Sequence, residues 1–78
     1  MGNVRMTETD WERLVSGVLK SELKLQGLSY ADLVEKLAAI GVEEKEANIS
    51  NKLSRGRFSA VFFAQCLKAI GSKRLKLD

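Results

Sequence analysis

The sequence predicts an all-α domain built from four helices. There is no proline and there are only six glycines in 78 residues. Apolar residues recur at three- and four-residue spacing, and the helix-favouring residues Leu, Ala, Lys and Glu are abundant. A chain of this length holds one small hydrophobic core. We expect a flexible segment at 1–8, a helical domain at 9–71, and a short strand or tail at 72–78.

The first helix is predicted from a cap, an apolar stripe and a glycine stop. Asp10 can cap its first turn, and the stripe begins at Trp11, which we expect to anchor the core. The helix should run to Gln26, because Gly27 provides a left-handed end.

Caps and glycines also define the second and third helices. Ser29 and Asp32 form a capping-box pattern that begins helix two, and Gly41 ends it. Helix three is expected from about residue 45 to 54, before Gly56. Two helices joined by a short turn have the layout of a helix-turn-helix.

Helix three should have an apolar inner face and a polar outer face. At 100° per residue, Ile49 and Leu53 point to one side, and Asn48, Asn51 and Arg55 fall on the opposite side. The outer row is therefore exposed in the predicted fold.

Helix four is strongly apolar, so we expect it to be the most buried element. Ser59 should cap it and Gly71 should end it. Phe62 and Phe63 are adjacent, so one faces the core while the other lies on its flank, against a second subunit. Cys66 is expected to be a buried small hydrophobe.

The tail at 72–78 alternates Leu75 and Leu77 with basic residues, which is typical of a short β-strand. A lone strand needs a partner, either residues 3–6 or the same strand of a second subunit. Phe62, Leu75 and Leu77 are the predicted dimer contacts of a homodimer paired through this strand. The alternative is a disordered basic tail.

Several classes of function are excluded by residue content. The chain has no histidine and one cysteine, which leaves no set of ligands for zinc and no intramolecular disulfide. No constellation of side chains suggests a catalytic triad or acid–base pair, so we expect no enzyme, metal or cofactor. Apolar runs are far shorter than the ~18 residues of a membrane span. We expect a cytoplasmic protein without a membrane partner.

Charge is divided unevenly along the chain. Residues 1–46 carry six basic and nine acidic side chains, a net charge of −3, whereas residues 47–78 carry seven basic and one acidic, a net charge of +6. Clustered Lys and Arg bind phosphates by releasing counterions. The asymmetry favours a nucleic-acid partner over the alternative, that the lysines only keep a small protein in solution.

Stretches of the chain resemble the repressor-like family of lambda-repressor or XRE type. The similarity covers residues 28–70 and rests on the motifs Leu28-Ser29-Tyr30-Ala31-Asp32-Leu33, Gly41-Val42, Ile49-Ser50 and Arg55-Gly56-Arg57, followed by an apolar helix. The chain is also similar to a small bacterial family of single-domain proteins of uncharacterised function that share Ile49-Ser50, Arg55-Gly56 and Phe58-Ser59. The first resemblance implies a DNA-binding helix-turn-helix in which Ser29 and Tyr30 contact the phosphate backbone.

These observations predict a small bacterial or phage transcriptional regulator that inserts helix 45–55 into the major groove of double-stranded DNA. The candidates for reading bases are Asn48, Asn51, Lys52 and Arg55, because Asn can pair with adenine edges and Arg with guanine. The candidates for phosphate contacts are Ser29, Tyr30, Arg57, Lys73, Arg74 and Lys76.

The main alternative is a protein-interaction module, such as an antitoxin-like or adaptor domain, on the same scaffold. Glu43, Glu44 and Glu46 surround the start of helix three, where base-reading residues normally lie. They stabilise the helix dipole, but they also repel phosphates. RNA in place of DNA is also open, although the few aromatic residues favour duplex binding over single-strand stacking.

Overall fold

The structure, a computed structural model, describes residues 5–75 and residue 77. The described residues form four helices: α1 (Glu8–Gln26), α2 (Tyr30–Ala39), α3 (Glu46–Arg55) and α4 (Ala60–Ala69). α2 packs on α3 and α4, and α1 packs on the same two helices. The all-α prediction is confirmed. In the described part of the chain, no helix is both long and apolar enough to cross a bilayer.

The core lies where the four helices meet. Each helix contributes apolar side chains at three- or four-residue spacing, and six of them are less than 2% exposed: Leu19, Leu33, Leu37, Ile49, Leu53 and Cys66. Burial of a side chain of leucine size contributes about 1.5–3 kcal/mol. Cys66 is buried as predicted, and burial raises the pKa of its thiol to about 12.

Helix ends follow the predicted signals with one correction. The N-cap of α1 is Thr7, and Asp10 is the third residue of the helix, where its carboxylate accepts a hydrogen bond from the Thr7 backbone N–H at 2.9 Å. Asp10 therefore belongs to a capping box and is not itself the cap. The predicted capping box of Ser29 and Asp32 is confirmed, and so is the Ser59 cap.

The two capping boxes predict how stability depends on pH. Hydrogen bonds from Thr7 and Ser29 hold the pKa values of Asp10 and Asp32 below their ordinary value of 3.8. Such carboxylates stabilise the fold above their unfolded pKa, and this stability is lost as the pH falls through the lower folded pKa. The midpoint temperature of thermal unfolding, followed by circular dichroism, should therefore decrease when the pH is lowered below about 4. Asp32→Asn should lower the midpoint at pH 7 and flatten this acid dependence; an unchanged profile would contradict it.

Two predictions about apolar side chains need correction. Trp11 is 54% exposed and does not anchor the core. Phe62, a predicted dimer contact, is 4% exposed, because it packs on the core and meets the Phe58 ring at 5.6 Å between centroids. The prediction for α4 agrees with its burial, because a larger share of its residues is buried or half-buried than in α1, α2 or α3, although Val61 is 66% exposed.

The predicted C-terminal strand is not supported. Residues 72–75 and residue 77 have no regular secondary structure, and Leu75 and Leu77 are exposed. A strand requires a second backbone to pair with, and the described residues of one chain provide none beside the tail. Residues 3 and 4 of the predicted partner at 3–6 lie outside the described residues, and so does Lys76. A homodimer paired through this segment stays a prediction.

Candidate nucleic-acid interface

The helix pair α2–α3 exposes the polar row that the sequence predicts. Ile49 is fully buried and Leu53 is 1% exposed, and these two side chains fix the inner face of α3. Asn48, Asn51 and Arg55 are all exposed on the other side. Asn51 and Arg55 form no side-chain hydrogen bond or ion pair with other described residues. Their polar groups are therefore free to bind a ligand.

Contacts with α1 fix the C-terminal half of α3. The Ser16 hydroxyl donates a hydrogen bond to the Leu53 carbonyl. Directly after α3, Gly56 has a left-handed φ of 67° and lies against the Glu12 backbone. A Cβ at Gly56 would be 2.4 Å from the Glu12 carbonyl oxygen. This close approach determines where the chain leaves α3 and where Arg57 is placed.

Arg57, a predicted phosphate contact, forms an ion pair with Glu12. Its Nε donates a hydrogen bond to the Glu12 carboxylate, and this bond raises the pKa of the guanidinium. The Arg57 side chain is nevertheless 73% exposed. Its remaining N–H groups are accessible to an anion, while Glu12 fixes its direction.

Lys52, a predicted base reader, has partners within the chain. Its Nζ lies 2.8 Å from a Glu44 oxygen and 4.2 Å from the centre of the Phe62 ring. The hydrogen bond from Lys52 is the largest cause holding the pKa of Glu44 below its ordinary value. The base-reading role of Lys52 stays a prediction, and the structure gives its ammonium a structural role in fixing α3 to the preceding turn.

The two ends of α3 differ in charge. Its C-terminal half opens on a cleft of about 480 Å³ lined by Asn51, Lys52, Arg55, Arg57 and Glu12. Its N-terminal half opens on a separate cleft of about 420 Å³, where Asn48 lies beside two acidic residues, Glu43 and Glu44, and one basic residue, Lys45. The amide of Asn48 contributes to the lowered pKa of Glu44. The predicted asparagine row is thus divided between a basic end and an acidic end.

Basic residues of α1 extend the basic end of α3, and sequence reasoning missed them. A cleft between α1 and α3 is lined by Arg13, Lys20 and Arg55, among others. The next cleft is lined by Lys20, Lys24, Ser29 and Tyr30. The two clefts share Lys20, and the first shares Arg55 with the cleft at the end of α3. We call this continuous set the basic track; it consists of Arg13, Lys20, Lys24, Arg55 and Arg57.

A sequence signal for the α1 part of the basic track was present. Arg13, Lys20 and Lys24 are seven and four residues apart, which puts them on one face of a helix. The net negative charge of residues 1–46 concealed this local cluster. The structure also brings the predicted phosphate contacts Ser29 and Tyr30 beside two of these lysines.

The tail contributes less to this surface than predicted. Lys73 and Arg74 are exposed on the irregular segment after α4, where the Ser72 hydroxyl donates a hydrogen bond to the Arg74 carbonyl at 3.1 Å. Lys76 lies outside the described residues. The basic charge that the structure brings together therefore comes from α1, α3 and the residue after Gly56.

Comparison with known proteins identifies a family but no function. No curated protein and no solved structure is detectably similar to the chain. One family model matches residues 11–75, which include all of α2, α3 and α4 and most of α1. The chain therefore belongs to the family described as Domain of unknown function (DUF6471).

Proposed function

We propose that the protein binds double-stranded DNA and acts as a small transcriptional regulator. The observation that carries the proposal is the basic track, which joins the exposed C-terminal half of α3 to the start of α2. Phosphates on a duplex form a row of negative charge, and a continuous row of Lys and Arg complements it. The same residues scattered over the surface would not match the row of phosphates.

In the proposed complex, α3 lies in the major groove and the basic track holds the backbone beside it. Asn51 and Arg55 are the base readers, since they are exposed, free of internal partners and separated by one helical turn. Ser29 accepts a hydrogen bond from the Asp32 N–H at 3.1 Å, which leaves its O–H free to donate to a phosphate oxygen. Lys20 and Lys24 add charge at the same point.

The acidic end of α3 restricts the orientation of the duplex. Glu43 and Glu44 lie beside Asn48, and carboxylates repel phosphates. The DNA backbone should therefore pass the basic end of α3 and avoid its first turn. Asn48, close to these carboxylates, contributes less to base reading than Asn51 and Arg55.

The salt dependence of duplex binding tests this function. We expect the anisotropy of a fluorescent mixed-sequence duplex to report binding that weakens steeply between about 50 mM and about 200 mM salt. If the four cations of the basic track other than Arg55 contact phosphates, the slope of log K against log salt reaches about −3.6, which is roughly a 150-fold loss over that range. Single-stranded DNA and duplex RNA serve as comparison ligands and should bind more weakly.

No binding to duplex DNA at micromolar protein and low salt would overturn the proposal. One observation favours a second candidate in that case, a protein-interaction module: the acidic cleft at Glu43, Glu44 and Asn48 suits a basic segment of a protein partner. Such a partner should bind at this cleft, so Glu43→Gln would weaken it, whereas the same substitution would leave or strengthen DNA binding.

A further inference from the structure

α1 carries a second apolar surface besides the one that it turns to the core. We call it the α1 stripe; it consists of the exposed Trp11 and Leu25, the half-buried Leu14 and, at its floor, Val18, which is 9% exposed. Trp11 is 54% exposed and Leu25 is 81% exposed, and both are among the most exposed large apolar side chains in the described residues. Exposed apolar side chains that line up on one helix face mark an interaction site more often than isolated ones do.

The spacing of the α1 stripe is that of a helix–helix contact. Trp11, Val18 and Leu25 are seven residues apart, and Leu14 lies three residues after Trp11. These residues take the a positions and the first d position of a two-helix seam, and the exposed Ser21 takes the second d position. A shallow cleft of about 370 Å³ runs along the α1 stripe, lined by Leu14, Val18 and Leu25, among others.

We propose that the α1 stripe is the interface of a homodimer, in which α1 packs antiparallel on α1 of a second copy across a two-fold axis. Val18 is the midpoint of the stripe, with Trp11 and Leu25 each seven residues away. Reversal of the helix about this midpoint therefore places Trp11 against Leu25 of the second copy, and does so twice. A two-fold interface requires this kind of self-complementarity.

The charges beside the stripe fit the same arrangement. Asp10 precedes Trp11 and Lys24 precedes Leu25, so both lie on one flank of the stripe. Antiparallel packing brings equivalent flanks together, and Asp10 of each copy then meets Lys24 of the other. Gly17, which precedes Val18, lies between them on the same flank, with no atom within 4 Å of a Cβ built on it. A glycine at the crossing point lets the two backbones approach closely.

The proposed interface leaves α3 free, and of the basic track it involves only Arg13, which lines the stripe cleft, and Lys24. Glu12 and Ser16 are the α1 residues that meet the end of α3, and Ser16 lies about 160° around the helix from Val18. The stripe and α3 are therefore on different sides of α1. The dimer carries two outward α3 helices, and its existence does not depend on whether the protein binds DNA.

Leu25→Glu separates this proposal from its alternatives. Sedimentation equilibrium of the intact chain should give a dimer, and Leu25→Glu should weaken dimerisation at least about tenfold, because two buried leucines are replaced by charges. The matched control is Val61→Glu on α4, an equally apolar side chain that is 66% exposed, and it should leave the dimer intact. Circular dichroism verifies that both variants fold.

A disulfide test locates the two-fold axis. Cys66 is fully buried, and burial raises the pKa of its thiol to about 12, so it does not react at neutral pH. Gly17 lies beside the proposed axis and has no atom within 4 Å of a Cβ built on it, so in Gly17→Cys the new thiols of the two copies should join into a covalent dimer with oxidised glutathione. Val61→Cys should not cross-link. Equal cross-linking of the two variants would overturn the proposed geometry.

Trp11 provides a direct readout, because it is the only tryptophan in the chain. Its emission should shift to longer wavelength as the dimer is diluted into monomers. A protein that is monomeric at millimolar concentration overturns the proposal. A monomer in which truncation after Ile70 shifts the Trp11 emission would assign the stripe to the tail of the same chain. DNA binding is measured separately, so failure of the dimer and failure of the proposed function are distinguishable.

Discussion

Gly56→Ala should lower the free energy of unfolding by about 2–5 kcal/mol, the largest stability effect expected for one methyl group in this protein. Two costs add. Alanine in the left-handed region costs about 1–2 kcal/mol, and the new Cβ would lie 2.4 Å from the Glu12 carbonyl oxygen and 2.7 Å from its carbon. Relieving that overlap requires α1 to move away from α3, at a cost of about 1–3 kcal/mol. The total free energy of unfolding of a domain of this size is roughly 4–12 kcal/mol.

Gly71→Ala is the matched control for this prediction. Gly71 has nearly the same φ, 69°, but nothing lies within 4 Å of a Cβ built there. The free energy of unfolding of Gly71→Ala should fall only by the cost of alanine in the left-handed region, about 1–2 kcal/mol. Urea unfolding followed by circular dichroism measures both variants. Equal losses in the two variants would show that α1 does not approach Gly56 as closely as the structure has it.

Local signals in the sequence predicted most of the secondary structure. The Ser29 capping box, the Ser59 cap and the stop at Gly27 all depend on contacts within a few residues. The same is true of the outer face of α3, because helical periodicity alone places Asn51 opposite Ile49. The cap of α1 was misplaced by three residues, since Asp10 fits both the cap and the third position of a capping box.

Predictions that depended on packing between helices were less successful. α1 has two apolar stripes, and periodicity could not show that the core takes Leu19 and Leu23 and leaves Trp11 exposed. Phe62 was assigned to a dimer contact for the same reason. The sequence predicted only the α3 end of the basic track, because its α1 residues come from a part of the chain with net negative charge. The ion pair of Arg57 with Glu12 joins residues 45 positions apart, and no pattern in the sequence indicates it.

Replacing Arg55 and Arg57 together by alanine should weaken duplex DNA binding by roughly 10- to 100-fold at low salt. Arg55 is the predicted base reader with no internal partner, and Arg57 is held toward the same cleft by Glu12. Loss of Arg57, the phosphate-binding cation of the pair, should also reduce the slope of log K against log salt by about 1. Anisotropy titrations at several salt concentrations measure the affinity and the slope in one experiment.

The control for the double variant removes the same charge elsewhere. Lys36 and Lys68 are exposed near the C-terminal ends of α2 and α4 and do not belong to the basic track. Lys36→Ala combined with Lys68→Ala gives the same net charge as the arginine pair, so long-range attraction falls equally in both. If DNA responds only to net charge, the two double variants lose affinity equally, and the proposed interface is wrong. A much larger loss for the arginine pair assigns binding to the end of α3, where Arg57→Ala also leaves the Glu12 carboxylate without its partner.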